Sequence, residues 1–308
     1  MSKIALSLVT DLNGSKLANF AIASFILSQS KPVDIHLYQD GYKRQPHERL
    51  AELATSRGFK IQTHELSSDQ FNGYRSAKHI TKTQFLKFIA VKDLLGEYER
   101  VLYSDTDILF MRDLDLNSVD FGGCPLAACF DVAEVSGITN DQFAANCERN
   151  GLSKDYFNSG LMFFNSRLID EAALHINYQR LLAEHQKACS YKTPCNTNDQ
   201  CVWNLLFSGR WKFLPIGWNV QSSMRFTKTW RQASVRHYTG PKKFLPLAAW
   251  RSDMIELKLV RKIAAELGES IYNPTSPLGS IYMLNSLRWR GNISRIDKAV
   301  EVVNQRLT

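Results

Sequence analysis

Residues 103–110 read YSDTDILF, and in them Asp105 and Asp107 stand one residue apart after the apolar run VLYS. Like charges this close raise each other's pKa unless something positive lies between them. The pair therefore either faces water or holds a cation. In an extended segment residues i and i+2 face the same side, so both carboxylates would converge on one point. Hard divalent cations take oxygen ligands, and a histidine in the third place shifts preference from Mg²⁺ toward Mn²⁺. His237, in HYTGPKK, is the far candidate for that place. Taken alone, D-x-D also describes a solvated turn or a helix cap, and a histidine ending an apolar strand is ordinarily a hydrogen-bonded core residue.

The elements that must position these groups are legible in outline. IALSLV (4–9), VDIHLY (33–38), FKIQTHEL (59–66) and RVLYS (100–104) read as strands. Between them LANFAIASFIL (17–27), HERLAELATSRG (47–58) and TKTQFLKFIAVKDLLG (81–96) read as helices. Strand–helix–strand repeated in this way predicts a mostly parallel sheet, whose ligands bind at the carboxyl ends of the strands. Asp11–Asn13 and Asp105–Asp107 both fall there, which places them at one crevice. Farther on, LAACF (126–130) is a strand and DYFNSGLMFFNS (155–166) holds an apolar strand after Gly160. Residues 166–188 read as one long helix, NDQCVWNLLF (198–207) as another, and VRHYTGPKKFLP (235–246) as a short strand entering a Gly-Pro turn. Asp199 near the start of its helix is an N-cap candidate.

Composition narrows the class. With 308 residues, 44% hydrophobic and 22% charged, the chain has the make-up of a soluble globular enzyme with one main domain and an appendage. No apolar run approaches the roughly 18 residues that span a bilayer. MSKIALSLVTDLNG reads as a first strand and not as a signal peptide. Six cysteines occur without a CxxC pair, which speaks against a structural zinc site and a disulfide framework and for free thiols in a reducing cytoplasm. The net charge of +8 is uneven: residues 210–308 hold 17 Lys and Arg against 6 Asp and Glu. Such a basic third suits an anionic partner or is a solvated basic face. Nucleic-acid binding would explain the charge and none of the motifs.

YSDTDILF, FNSG, NDQCVWNLLF and HYTGPKK, in that order and at these separations, resemble glycosyltransferase family 8. The resemblance runs from about Ile4 to Pro246 and includes the family's bacterial lipooligosaccharide galactosyltransferases. It implies a GT-A fold, a Rossmann-like mixed α/β sheet flanked by helices, over residues 1–246. Residues 247–308 are expected to form a small, basic, mainly helical extension.

The resemblance further implies a retaining hexosyltransferase that moves galactose or glucose from a UDP-sugar to a cell-surface glycan such as lipopolysaccharide. Asp105, Asp107 and His237 match the Mn²⁺ ligands, with Mg²⁺ as the alternative ion. Lys243 and Gly240 match the diphosphate contacts, and Asp11 and Asn13 those to base and ribose. Asp131 and Asn158 match residues around the donor sugar, Lys87 stands at an arginine position, and Asp199 and Gln200 match the pair beneath the anomeric carbon. An amide is a poor nucleophile, so Gln200 favours a front-face route; Asp199 offers a double displacement instead.

Two departures accompany the match: Gly14 replaces a base-stacking aromatic, and Cys201 stands where relatives carry aspartate. Segments 67–80 and 217–232 are expected to be acceptor loops. The basic C-terminus, with Arg288, Trp289, Arg290, Arg295 and Lys298, suits an anionic membrane surface on the cytoplasmic side. The rival readings are a glycogenin-like or protein-directed transferase and a catalytically silent nucleotide-sugar or glycan binder.

Overall fold

The computed structural model describes residues 3–75, 81–135, 142–192, 195, 198–247, 252–271 and 290–305. Its first half is built from βα units: β1 (Ile4–Thr10), α1 (Ser15–Ser28), β2 (Asp34–Asp40), α2 (Glu48–Ser56) and β3 (Lys60–Leu66), then α3 (Leu86–Leu95) and β4 (Arg100–Ser104). β5 (Ile108–Phe110) and β6 (Leu126–Phe130) follow, then α4 (Val132–Val135), α5 (Phe143–Arg149) and β7 (Phe157–Asn165). The rest is α6 (Glu171–Lys187), α7 (Asn198–Leu206), β8 (Trp211–Phe213), β9 (Val220–Gln221), α8 (Lys228–Gln232), β10 (Val235–His237), α9 (Met254–Leu267) and α10 (Arg290–Gln305).

Seven strands form the main sheet in the order β3-β2-β1-β4-β7-β6-β8. β3, β2, β1 and β4 run parallel, while β7 is antiparallel to both β4 and β6. At the centre of the parallel half β1 is buried at every residue, because helices cover both faces, while the edge strand β3 alternates between exposed and half-buried residues. α1 is buried almost all round, from Ala18 and Phe20 to Ile26, since it packs against β1 on one side and α2 and α9 on the other. That explains an apolar surface wider than one amphipathic stripe.

A second sheet of three short strands, β5-β10-β9, sits beyond the end of β4. The chain leaves the large sheet at Ser104 and enters the small one at Ile108, so Asp105–Asp107 is a turn between sheets and not a continued strand. The extended i, i+2 geometry expected for the pair is therefore replaced by a turn that carries both carboxylates into the gap between the two sheets.

Three other expectations shift. β7 runs through Gly160 instead of starting after it. The long helix expected from residue 166 begins only at Glu171, because Asp170 caps it by accepting from the Ala173 N–H at 3.0 Å. Segment 217–232, expected as a loop, holds β9, α8 and a fully buried Trp230. Residues 76–80 of the other expected loop lie outside the described residues.

The basic end is helical where it is described. α9 packs on α1 and α2, and Asp253 at its N-terminus pairs with Arg236 of β10 at 2.8 Å. Arg236 is fully buried and also donates to the Trp230 carbonyl at 3.1 Å, so it ties the small sheet to α9. α10 lies against α4 and the turn at Ser222–Met224, and its Ile296, Val300 and Val303 are buried. Arg288 and Trp289 lie outside the described residues. Among the described residues no helix is long and apolar enough to cross a membrane.

Candidate active site

Strand register brings together residues that are far apart in sequence. β5 pairs antiparallel with β10 so that Ile108 faces His237, and the Tyr238 N–H donates to the Asp107 carbonyl at 2.9 Å. This places His237 beside Asp107. On the other side, β4 pairs with β7, and the Asp105 N–H donates to the Gly160 carbonyl at 2.8 Å. His237 Nε2 lies 3.2 Å from Asp107 Oδ1 and 3.7 Å from Asp105 Oδ2. Ligand atoms of the three side chains fall within 4.8 Å of one another.

The surroundings fit a divalent cation at this place. Asn219 Nδ2 donates to Asn158 Oδ1 at 3.0 Å, which turns Asn219 Oδ1 toward His237 Nδ1, also at 3.0 Å. That network places a proton on Nδ1, so a divalent cation taking the place of the Nε2 proton would meet the Nε2 lone pair, the arrangement in which histidine binds metals. Lys243 Nζ donates to Asp107 Oδ2 and to the Tyr238 carbonyl. Its ammonium holds a positive charge where the carboxylates ask for one. Burial alone would raise the Asp107 pKa, but His237 and Lys243 more than offset it and hold the carboxyl well below the usual range.

Gly160 is what makes room. A Cβ there would stand 2.1 Å from His237 Cε1, 2.7 Å from its Nδ1 and 2.9 Å from Asp105 Oδ2. No side chain fits between the strand and the ring.

Lys87 reaches in from α3 and is buried, with Nζ 3.2 Å from Asp105 Oδ1 and 2.9 Å from Asp199 Oδ2. It also donates to the Ser159 carbonyl at 3.2 Å. Burial works against its charge, yet the two carboxylates outweigh burial and raise its pKa. Asp199 shows the converse: burial raises its pKa, and Lys87 only partly offsets that. One buried ammonium thus links the D-x-D turn to the start of α7. Tyr103 adds a hydroxyl that donates to Asp105 Oδ1 at 2.9 Å.

Gln200, next on α7, is held at both ends of its amide. Nε2 donates to Asp131 Oδ2 at 3.0 Å, while Oε1 accepts from Asn158 Nδ2 at 3.1 Å and from the Ser159 N–H at 3.2 Å. Asn158 Nδ2 also reaches Asp131 Oδ2 at 3.2 Å. A continuous chain of hydrogen bonds therefore runs from Asp131 through Asn158 and Asn219 to His237.

Asp11 and Asn13 follow β1, whose carboxyl end lies beside that of β4. Asp11 Oδ1 accepts from the Gly14 N–H at 2.7 Å. A Cβ at Gly14 would meet Thr10 Oγ1 at 2.7 Å, so a larger residue there would require the Thr10 side chain to turn away. Tyr42, half-buried, donates to the Asp11 carbonyl at 3.3 Å and places a ring next to it. Gly240 adopts φ +81°, a left-handed conformation that glycine accepts without strain, in the turn leading to Lys243.

The structure thus brings Asp105, Asp107, His237, Lys243, Lys87, Asp199, Gln200, Asn158 and Asp131 into one connected group. Asn219, Tyr103, Ser159 and Tyr42 were not singled out in the sequence. Tyr103 and Ser159 lie in legible segments, RVLYS and FNSG, but the part each of the four plays depends on pairing that sequence alone does not display.

Comparison with known proteins agrees with this geometry. The model of Glycosyl transferase family 8 matches residues 6–251. Lipopolysaccharide glucosyltransferase WaaO of Escherichia coli K12 is 22% identical over 252 residues, 79% of this chain and 72% of that protein. A lipopolysaccharide 1,2-glucosyltransferase of the same strain is 22% identical over 72% of this chain and 67% of its own. Among solved structures, the galactosyltransferase LgtC in complex with donor and acceptor sugar analogs superposes with a TM-score of 0.62 at 20% identity, covering 94% of this chain and 99% of that one. The last likeness shows the GT-A fold: a central, mostly parallel sheet flanked by helices. With the family match spanning most of the sequence, the chain belongs to glycosyltransferase family 8.

Proposed function

We propose that the protein is a retaining, Mn²⁺-dependent hexosyltransferase that moves galactose or glucose from a UDP-sugar to a cell-surface glycan, with lipopolysaccharide as the favoured acceptor. The observation that carries this reading is the convergence of Asp105, Asp107 and His237 beside a buried Lys87–Asp199 pair and Gln200. The names of the two E. coli relatives point to lipopolysaccharide as acceptor and glucose as one donor sugar. Residues 1–246 would form the transferase domain and 247–308 an extension.

Asp105, Asp107 and His237 would hold the metal, with Mg²⁺ as the alternative ion. When bound, such an ion neutralises charge on the donor diphosphate and on the leaving nucleotide. Lys243, once released from Asp107, would meet a phosphate oxygen, and Gly240 keeps the turn before it free of a side chain. Asp11 and Asn13 would receive the nucleoside. Tyr42 supplies beside them the aromatic face that position 14 lacks.

Asp131 and Asn158 would meet the donor sugar. Gln200 is fixed by three hydrogen bonds, and both lone pairs of its Oε1 already accept from the protein. It is therefore built as a positioned dipole and not as an attacking group. Asp199 is tied to Lys87, which argues against a free carboxylate nucleophile there. Both features favour front-face transfer, in which the acceptor attacks on the side from which UDP departs.

The test is to supply UDP-galactose and UDP-glucose with Mn²⁺ and a truncated lipooligosaccharide acceptor, and to read the anomeric configuration of the product by NMR. An α-linked product from an α-linked donor is expected. A β-linked product would contradict the retaining assignment, and the absence of any product with either donor would leave the protein a silent binder.

The enzyme would act on the cytoplasmic side, peripheral to the membrane, through the basic charge concentrated after residue 210. Removal of residues 281–308 is expected to weaken binding to anionic liposomes several-fold. Equal binding by the truncated and full chains would sink the peripheral-membrane assignment.

A further inference from the structure

Away from the D-x-D site, His185, Cys189, Cys195 and Cys201 present ligand atoms that all lie within 4.8 Å of one another. The spacing is H-x3-C-x5-C-x5-C, which no CxxC rule would find. His185 comes from the last turn of α6, Cys201 from the first turns of α7, and the other two from the segment between. Helix packing closes the group: α6 and α7 lie side by side.

The distances suit a tetrahedral centre. Zinc binds thiolate at about 2.3 Å and imidazole nitrogen at about 2.0–2.1 Å, which sets S···S edges of about 3.8 Å and S···N edges of about 3.6 Å. Here Cys195 Sγ lies 3.8 Å from Cys201 Sγ, Cys189 Sγ lies 3.6 Å from Cys201 Sγ, and His185 Nε2 lies 3.5 Å from Cys195 Sγ. These separations are far longer than the roughly 2.05 Å of a disulfide. Three sulfurs and one imidazole form a soft donor set that selects zinc over the oxygen-loving ions suited to Asp105 and Asp107.

The surroundings add support. His185 and Cys201 are buried. The Tyr156 hydroxyl lies 3.1 Å from Cys201 Sγ, placed to donate to a thiolate.

We propose that His185, Cys189, Cys195 and Cys201 bind a structural zinc ion. With four protein ligands the site is closed, so it holds structure and leaves no position for a substrate. It fastens the end of α6 and the segment after it to the start of α7. Cys201 directly follows Gln200, so the ion anchors the turn that presents Asp199 and Gln200 to the active site. The inference does not depend on the donor, the acceptor or the activity.

The reduced full chain, purified without chelator, is expected to hold about one zinc per molecule by elemental mass spectrometry. After zinc is stripped, Co²⁺ titration is expected to give a thiolate-to-cobalt charge-transfer band in the near ultraviolet and strong tetrahedral bands in the visible. Added Zn²⁺ should bleach both. Asp107→Asn should keep these bands and Cys195→Ser should lose them, which separates this centre from the oxygen-rich one. Amide hydrogen exchange across residues 198–206 should quicken when zinc is removed.

Absence of the bands in the reduced wild type, or their persistence in Cys195→Ser, would overturn the assignment. Should Cys195→Ser fail to fold, the wild-type cobalt spectrum and its bleaching by zinc decide the matter alone.

Discussion

Lys87→Met is expected to reduce turnover by at least about 10²-fold and to destabilise the fold by roughly 3–5 kcal/mol, the usual cost of stripping a buried ion pair of one partner. The cause is geometric as well as electrostatic. The ammonium touches both Asp105 and Asp199, so its removal frees the D-x-D turn from α7 and leaves Asp199 buried without a counter-charge. The Asp199 pKa is already raised by burial, and Lys87 is the largest influence opposing that rise. In the variant the carboxyl therefore moves higher still.

The sign of the pH effect follows. A carboxyl whose folded pKa exceeds its unfolded value favours folding only while protonated. Stability of the variant should fall as pH rises above the ordinary aspartate value of 3.8, more steeply than in the wild type. Urea unfolding across that range reads the difference. Lys87→Arg, which keeps the charge, should recover part of both losses. Wild-type turnover in Lys87→Met would show that the pair plays no part in positioning the site.

Gly160→Ala is the second large effect. One methyl group would fall 2.1 Å from His237 Cε1 and 2.9 Å from Asp105 Oδ2, so either the ring or the strand must move. If the ring moves, it loses Asn219 and its aim at the carboxylates. Displacement of this size at a metal-binding histidine corresponds to about 10- to 100-fold in metal affinity, and in turnover to about 10²-fold. The stability cost of overpacking should stay near 1–3 kcal/mol, so the variant still folds. Mn²⁺ titration followed by calorimetry, together with turnover, measures both. A variant within twofold of wild type in both quantities would mean that His237 is not held where the structure puts it.

Much of the scaffold is legible in the sequence because its signals are local. RVLYS and LAACF coincide with β4 and β6, since compact apolar runs between polar punctuation admit few alternatives. The helices between the parallel strands are found within two or three residues of their ends, except that α3 begins at Leu86 after a 3-10 turn. What was hidden is long-range. β5 and β9 are three and two residues long, too short for any periodicity, and although β10 is legible as a short strand, its pairing with β5, which sets His237 against Asp107, is not.

The same reason conceals Asn219, whose importance lies wholly in joining Asn158 to His237. Gly160 was visible as a residue of FNSG, while the need for a glycine there appears only once the imidazole faces it. The six thiols are free, as the sequence predicts, but the grouping of three of them with His185 is not legible in it. Absence of CxxC argues against zinc only when ligands come from one tight turn, and here they come from two helices and the segment between.

The most direct test of the central claim is UDP release from a panel of UDP-sugars, with Mn²⁺ or with EDTA, by wild type and Asp107→Asn. The account predicts slow, Mn²⁺-dependent release from one hexose donor. Loss of one carboxylate ligand should reduce it by about 10²–10³-fold, the scale on which a preorganised charge acts on a leaving group. Release that persists in EDTA, or that is unchanged in Asp107→Asn, would contradict the metal site. No release at all, with no Mn²⁺-dependent UDP binding by calorimetry, would return YSDTDILF to a solvated turn between two sheets.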